Sequence, residues 1–147
     1  MIIYMDCCCL NRPFDNQLQD KVRFESDAVI AILSKCASGE WQLIGSAALE
    51  LEISKTPDLI RKNQVLDLYQ VAEGKIKLND AIKSRARELL SSGFKAFDSL
   101  HAASAEYGKV DVLLTTDKRF LNAAKRCDLA VRVENPLNWF MEVLDNG

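Results

Sequence analysis

Short apolar runs alternate along the chain with longer segments in which apolar residues return at helical spacing. Residues 1–5 are wholly apolar, as in a strand covered on both faces. A turn is expected at Asn11-Arg12-Pro13-Phe14-Asp15-Asn16. Residues 17–38 set Val22, Ile30, Leu33 and Ala37 among charges, predicting a helix that Gly39 closes. Residues 41–45 read as a second strand, and Ser46 caps a short helix running to Ser54. Thr56-Pro57-Asp58 offers a cap, an N1 proline and a first-turn acid for a helix reaching Ala72. Residues 75–78 alternate as a short strand, and Asn79 caps a helix over 80–91 that Gly93 ends. A helix rich in small residues spans 96–107 and stops at Gly108. The strand 110–115, a helix over 117–126, a strand at 130–133 and a last helix capped by Asn135-Pro136 complete the pattern. Strands alternating with helices predict an α/β fold, a parallel sheet with helices on both faces.

The 147 residues suit one domain, 1–147. Apolar residues are 48% and charged residues 27%, which excludes disordered and fibrous classes. A net charge of −2 excludes a protein that coats nucleic acid by bulk charge. No apolar run approaches the ~18 to 20 residues that span a bilayer, and the first five residues lead to an acid without a basic stretch. A cytoplasmic protein is expected. Five cysteines, three of them consecutive at Cys7, Cys8 and Cys9, form no disulfide framework. Read as strand residues, adjacent cysteines face opposite ways and do not converge on one metal.

The acids are more informative. Ligands of an open parallel sheet bind outside the carboxyl ends of its strands. Asp6 ends the first strand and Asp117 follows the strand Val112-Leu113-Leu114-Thr115, which puts both on one edge. Glu50 and Glu52 lie in the helix after the second strand, and Asp98 lies in the first turn of the small-residue helix. Asp98 and Asp117 also suit helix N-termini by themselves. Asp6 sits in an apolar segment where an unpaired carboxylate is costly. Carboxylates that converge repel one another unless a cation joins them. Mg2+ takes hard oxygen ligands and keeps waters, and can activate one of those waters against a phosphoryl group.

Four stretches resemble the PIN-domain family of metal-dependent ribonucleases. They are Ile2-Ile3-Tyr4-Met5-Asp6 with Cys7 to Asp15 after it, Ser46-Ala47-Ala48-Leu49-Glu50-Leu51-Glu52-Ile53, Phe97-Asp98-Ser99-Leu100-His101-Ala102-Ala103, and Leu113-Leu114-Thr115-Thr116-Asp117-Lys118-Arg119-Phe120. Their order and spacing agree over essentially the whole chain. The resemblance implies a three-layer fold with a mostly parallel central sheet and an acidic quartet of Asp6, Glu52, Asp98 and Asp117. Glu50 and Glu52 are about 200° apart on a helix, so one faces the site, and the family's spacing from Ser46 selects Glu52. It also implies Mg2+ or Mn2+ as cofactor, RNA as substrate, an antitoxin protein as partner, and a homodimer. One departure is Cys7, where the family usually has Thr or Ser; a thiol is the poorer hydrogen-bonding group.

Arg12, Lys118 and Arg119 flank the acids and are candidate phosphate contacts, as are Ser99 and Thr116 beside them. Thr116 is equally a candidate N-cap. His101 shares a helical face with Asp98 and reads as a packed or supporting residue, since a metal mechanism needs no histidine base. Two other readings compete with the nuclease. One is a PIN-like module that binds RNA or a partner without cutting. The other is a receiver-like signalling domain, disfavoured because the second strand ends in Gly45-Ser46 rather than Asp.

Overall fold

A computed structural model describes residues 1–146. The chain begins with β1 (Ile2–Met5), α1 (Cys7–Asn11), a 3-10 turn at Arg12–Phe14, and α2 (Asp20–Ala37). Next come β2 (Gln42–Leu43), β3 (Gly45–Ser46), α3 (Ala47–Ser54), α4 (Leu59–Tyr69) and β4 (Lys75–Ile76). Then follow α5 (Asp80–Ser91), α6 (Ala96–Tyr107), β5 (Val112–Leu114), α7 (Lys118–Lys125), β6 (Val133–Glu134) and α8 (Pro136–Asn146).

Every strand pairing is parallel. Four strands form a sheet in the order β2-β1-β5-β6, and β3 pairs with β4 in a separate two-stranded sheet. The two-residue period of a strand divides the core in two. Ile3, Met5, Val112 and Leu114 point into one apolar cluster with residues of α1 to α4 and Trp139 of α8. Tyr4 and Leu113 point the other way, among residues of α5, α6 and α7. Helices therefore cover both faces, which is the three-layer α/β arrangement. From β1 the chain crosses to β2 on one side and later returns to β5 on the other. The topological switch point, where open parallel sheets leave a crevice for ligands, lies between β1 and β5.

Several local expectations need correction. The three cysteines belong to α1 rather than to an extended segment, because Asp6 caps that helix by accepting from the Cys9 N–H at 3.0 Å. The second strand is split. Gly45 passes so close to Tyr69 that a Cβ there would overlap the phenol oxygen, and the chain leaves the main sheet to pair with β4. Asp58, not Thr56, caps α4, and its side chain accepts from the Ile60 N–H. Asp117, not Thr116, caps α7 by accepting from the Arg119 N–H at 2.8 Å. The inward face of α2 is also rotated from the expected one: Ile30 and Ala37 face solvent, while Glu25, Val29, Ile32 and Cys36 are buried. The expected caps Ser46, Asn79 and Asn135 and the turn glycine Gly39 (φ +87°) are in place. Among the described residues, no helix is long and apolar enough to cross a membrane.

Candidate active site

The carboxyl ends of β1 and β5 bring Asp6 and Asp117 to the same edge, and Thr115 links them. Its side chain lies close enough to Asp6 to favour the ionised carboxylate, and its oxygen accepts from the Asp117 N–H at 3.1 Å. Asp6 is 2% exposed. Burial pushes its carboxyl up to about 6 despite Thr115 and the Cys9 hydrogen bond, which favour the anion. Asp98, in the first turn of α6, goes further, up to about 7. Its burial is the main cause, followed by the charges of Asp6 and Asp117, with Glu52 adding to them. Asp6 and Asp98 thus share one electrostatic neighbourhood with Asp117 and Glu52, and burial and nearby negative charge make both of them harder to ionise.

The two glutamates of α3 separate as helical geometry requires. Glu50 turns away, accepting from the Tyr69 hydroxyl at 2.7 Å and from Lys75 Nζ at 3.2 Å. Glu52 turns toward Asp117, and together they line an open cavity of about 430 Å3. Behind Glu52 stands a buried polar chain. The His101 ring meets Glu52 through Nε2 at 2.7 Å and the Tyr4 hydroxyl through Nδ1 at 2.6 Å, and that hydroxyl lies 2.6 Å from Ser46 Oγ. Ser46 in turn caps α3 by accepting from the Leu49 N–H. Burial holds the Tyr4 phenol far above its ordinary value, so it remains a neutral hydrogen-bonding group.

The cavity wall facing the acids is basic. Arg12 and Arg61 line it with Asp15. Arg12 donates to the buried Glu25 and to Asp15, and Arg61 donates to Asn11, Asp15 and the Phe14 carbonyl, so both guanidiniums are largely occupied in holding the 3-10 turn. Thr116 and the cysteines Cys7 and Cys8 also line the cavity. Burial raises the Cys7 thiol to about 12, and Cys8 is raised further, so neither is a thiolate nucleophile at neutral pH. Lys118 and Arg119 open α7 and are exposed. Ser99 is buried, and its hydroxyl donates to the Ala96 carbonyl of its own helix.

The donor set suits a hard divalent cation. Its groups are carboxylate oxygens whose crowding such an ion would relieve. Among the described residues, no three acids, histidines or cysteines already converge as a ligand cluster. Mg2+ places little demand for such a cage, since it keeps several waters and is commonly held by one or two carboxylates.

The PIN domain family model matches residues 20–126. The chain belongs to the PIN domain family. Two solved structures share this PIN fold. That of FitAcB from Neisseria gonorrhoeae is 20% identical, with 91% of this chain and 97% of that one covered and a TM-score of 0.55. That of VapBC2 from Rickettsia felis bound to a DNA fragment from their promoter is 18% identical, with 92% and 98% covered and a TM-score of 0.59. The comparison with curated proteins gave no match. PIN domains are nucleases, so the chain is assigned to a family of hydrolases acting on nucleic acids. The receiver-like reading is excluded by this membership.

Proposed function

We propose that this PIN domain is an endoribonuclease that hydrolyses RNA phosphodiester bonds with Mg2+ or Mn2+. The observation that carries the reading is the shared neighbourhood of Asp6, Glu52, Asp98 and Asp117, four acids from distant segments whose proximity is costly without a cation. Asp6, Asp98 and Asp117 would hold the metal, directly or through water. A bound divalent ion lowers the pKa of a water and offsets charge on the phosphoryl oxygens. Glu52, fixed from behind by His101, accepts a hydrogen bond from the attacking water and orients it. Thr116 lies on the cavity wall where a hydroxyl can donate to a phosphate oxygen.

The likeness to FitAcB and VapBC2, together with the sequence resemblance to toxins of this family, supports a toxin role. In that role the chain would form a homodimer inhibited by an antitoxin protein.

The test is cleavage of single-stranded RNA with and without Mg2+, comparing the parent with Asp6→Asn and Asp98→Asn. Asparagine keeps the acceptor that caps α1, so Asp6→Asn should fold. Cleavage by the parent that stops with EDTA, and falls at least ~100-fold in both variants, is expected for charge-stabilising groups at a reacting phosphate. A parent that leaves RNA intact, or variants that cleave as well as it does, overturns the proposal. The first outcome would favour the binding module that does not cut.

A further inference from the structure

The arginines of the chain sort by their partners. Of eight, Arg12, Arg23, Arg61, Arg85 and Arg132 end on carboxylates. Arg87, Arg119 and Arg126 have no such partner within 4.0 Å among the described residues. Two of these three come together. Arg119, in the first turn of α7, and Arg126, at its C-cap, are seven residues apart and so share a helical face. Both line a hollow of about 140 Å3, closed on the other side by Gly93 and Lys95. A cavity of about 150 Å3 accommodates benzene, so this one has room for a five-atom phosphate group.

Three cationic side chains around one hollow repel one another, as the acids do next door, and an anion relieves that repulsion. The planar guanidinium matches phosphate oxygens in pairs. The hollow is also continuous with the acid edge. Asp98 lines it, and Lys95 Nζ lies 3.9 Å from Asp117 Oδ2. An anion held here stands beside the acids rather than over them.

We propose that Lys95, Arg119 and Arg126 form a phosphate subsite that holds a backbone phosphate of single-stranded RNA adjacent to the one cleaved at the acid edge. The choice of RNA as the source of that phosphate rests on the nuclease reading; the subsite itself rests on the clustered cations. It explains how a chain of net negative charge places a polyanion beside four carboxylates.

The test uses a fluorescein-labelled 12-nucleotide oligouridine in EDTA, with binding followed by anisotropy at several salt concentrations. The proteins are the parent, Arg119→Gln/Arg126→Gln, and Arg87→Gln as the control for an unpaired arginine elsewhere. The double variant is expected to keep the parent's Tm and to bind at least ~10-fold more weakly. Its salt slope should be shallower by about 1.4, because two fewer phosphates of a single strand are neutralised. Arg87→Gln is expected to match the parent. With Mg2+ present, the double variant should raise KM and leave kcat near the parent's.

Parent-like binding and slope in the double variant, an equal loss in Arg87→Gln, or a parent that does not bind the oligonucleotide each overturns the subsite. So does inorganic phosphate that raises the Tm of the parent, but not of the double variant, without displacing the RNA, since the hollow would then serve a free anion. A parent that binds but does not cut removes the nuclease reading and leaves the subsite standing. A parent that cuts, with the double variant unchanged in KM and slope, does the reverse.

Discussion

His101 joins Glu52 to the far side of the sheet, its Nε2 standing 2.7 Å from Glu52 Oε1 while Nδ1 meets the Tyr4 hydroxyl of β1 at 2.6 Å. An ionised carboxylate only accepts, so the Nε2–H donates to Glu52. Nδ1 and the Tyr4 hydroxyl share the second hydrogen bond of the ring, and that hydroxyl also meets Ser46 Oγ. Each group in the chain then has a partner, and the glutamate carboxylate is fixed in direction.

Removing that support should reduce turnover more than substrate affinity. His101→Gln is expected to lower kcat by about tenfold, in the range seen when partners behind a site are removed, with KM for RNA near the parent's. Tyr4→Phe strands a buried hydroxyl and a ring nitrogen, and should cost about 1–2 kcal/mol in urea unfolding. Steady-state kinetics with unfolding curves of both variants check this. A change in KM alone would contradict it.

The raised acids make stability depend on pH. Unfolded aspartate titrates near 3.9, whereas Asp98 is held up to about 7 and Asp6 up to about 6. Between these values the native protein binds more protons than the unfolded chain, so stability falls as pH rises. The contribution is complete below about pH 4 and gone above about pH 7. Asp98→Asn should remove its share, about 1 kcal/mol after solvent screening, and flatten the curve of Tm between pH 5 and 7.5. At pH 7.5, Mn2+ should raise the Tm of the parent and EDTA should reverse the gain. Thermal melts of both proteins across this range decide the matter.

Glu25 is the buried anion that anchors the segment around the 3-10 turn. It accepts from Arg12 at 2.9 Å and from Asn135 Nδ2, tying α2 to the turn and to the start of α8. Glu25→Ala leaves the Arg12 guanidinium without its main partner and should cost about 3–5 kcal/mol. Chemical denaturation measures the loss. Limited proteolysis should show new cleavage in residues 12–19.

Gly45→Ala forces a methyl group against the Tyr69 ring, into the space of its oxygen and 2.9 Å from Cζ. The ring must move and release Glu50, at a cost of about 1–3 kcal/mol. Gly45→Ala/Tyr69→Leu should recover part of that cost. A double-mutant cycle measures the coupling.

Most of the scaffold is legible in the sequence because its signals are local. Ser46, Asn79 and Asn135 cap their helices through their own side chains, and the apolar runs at β1 and β5 reach the core on both faces. The buried face of α2 departs from the apolar pattern because Glu25 points inward, and its compensation by Arg12 and Asn135 is visible only in three dimensions. Proximity of the acids follows from strand ends, but the groups that steady them do not. In the sequence Thr115 reads as one more strand residue, and Tyr4 as one more apolar position. Arg61 lies on a helix with no motif, and its place on the cavity wall depends on α4 meeting the 3-10 turn. A threonine directly before the Thr-Asp pair of a strand end is the signal that points to Thr115.

β5 is threaded between β1 and β6, and it carries Thr115 and Asp117 into place beside Asp6. A polypeptide still emerging from the ribosome shows Asp6 first and must wait until this inner strand has been made and inserted. Half-synthesised molecules lack the assembled edge. Assembly of the acid edge is therefore deferred until the most sequence-distant strand pairing has closed.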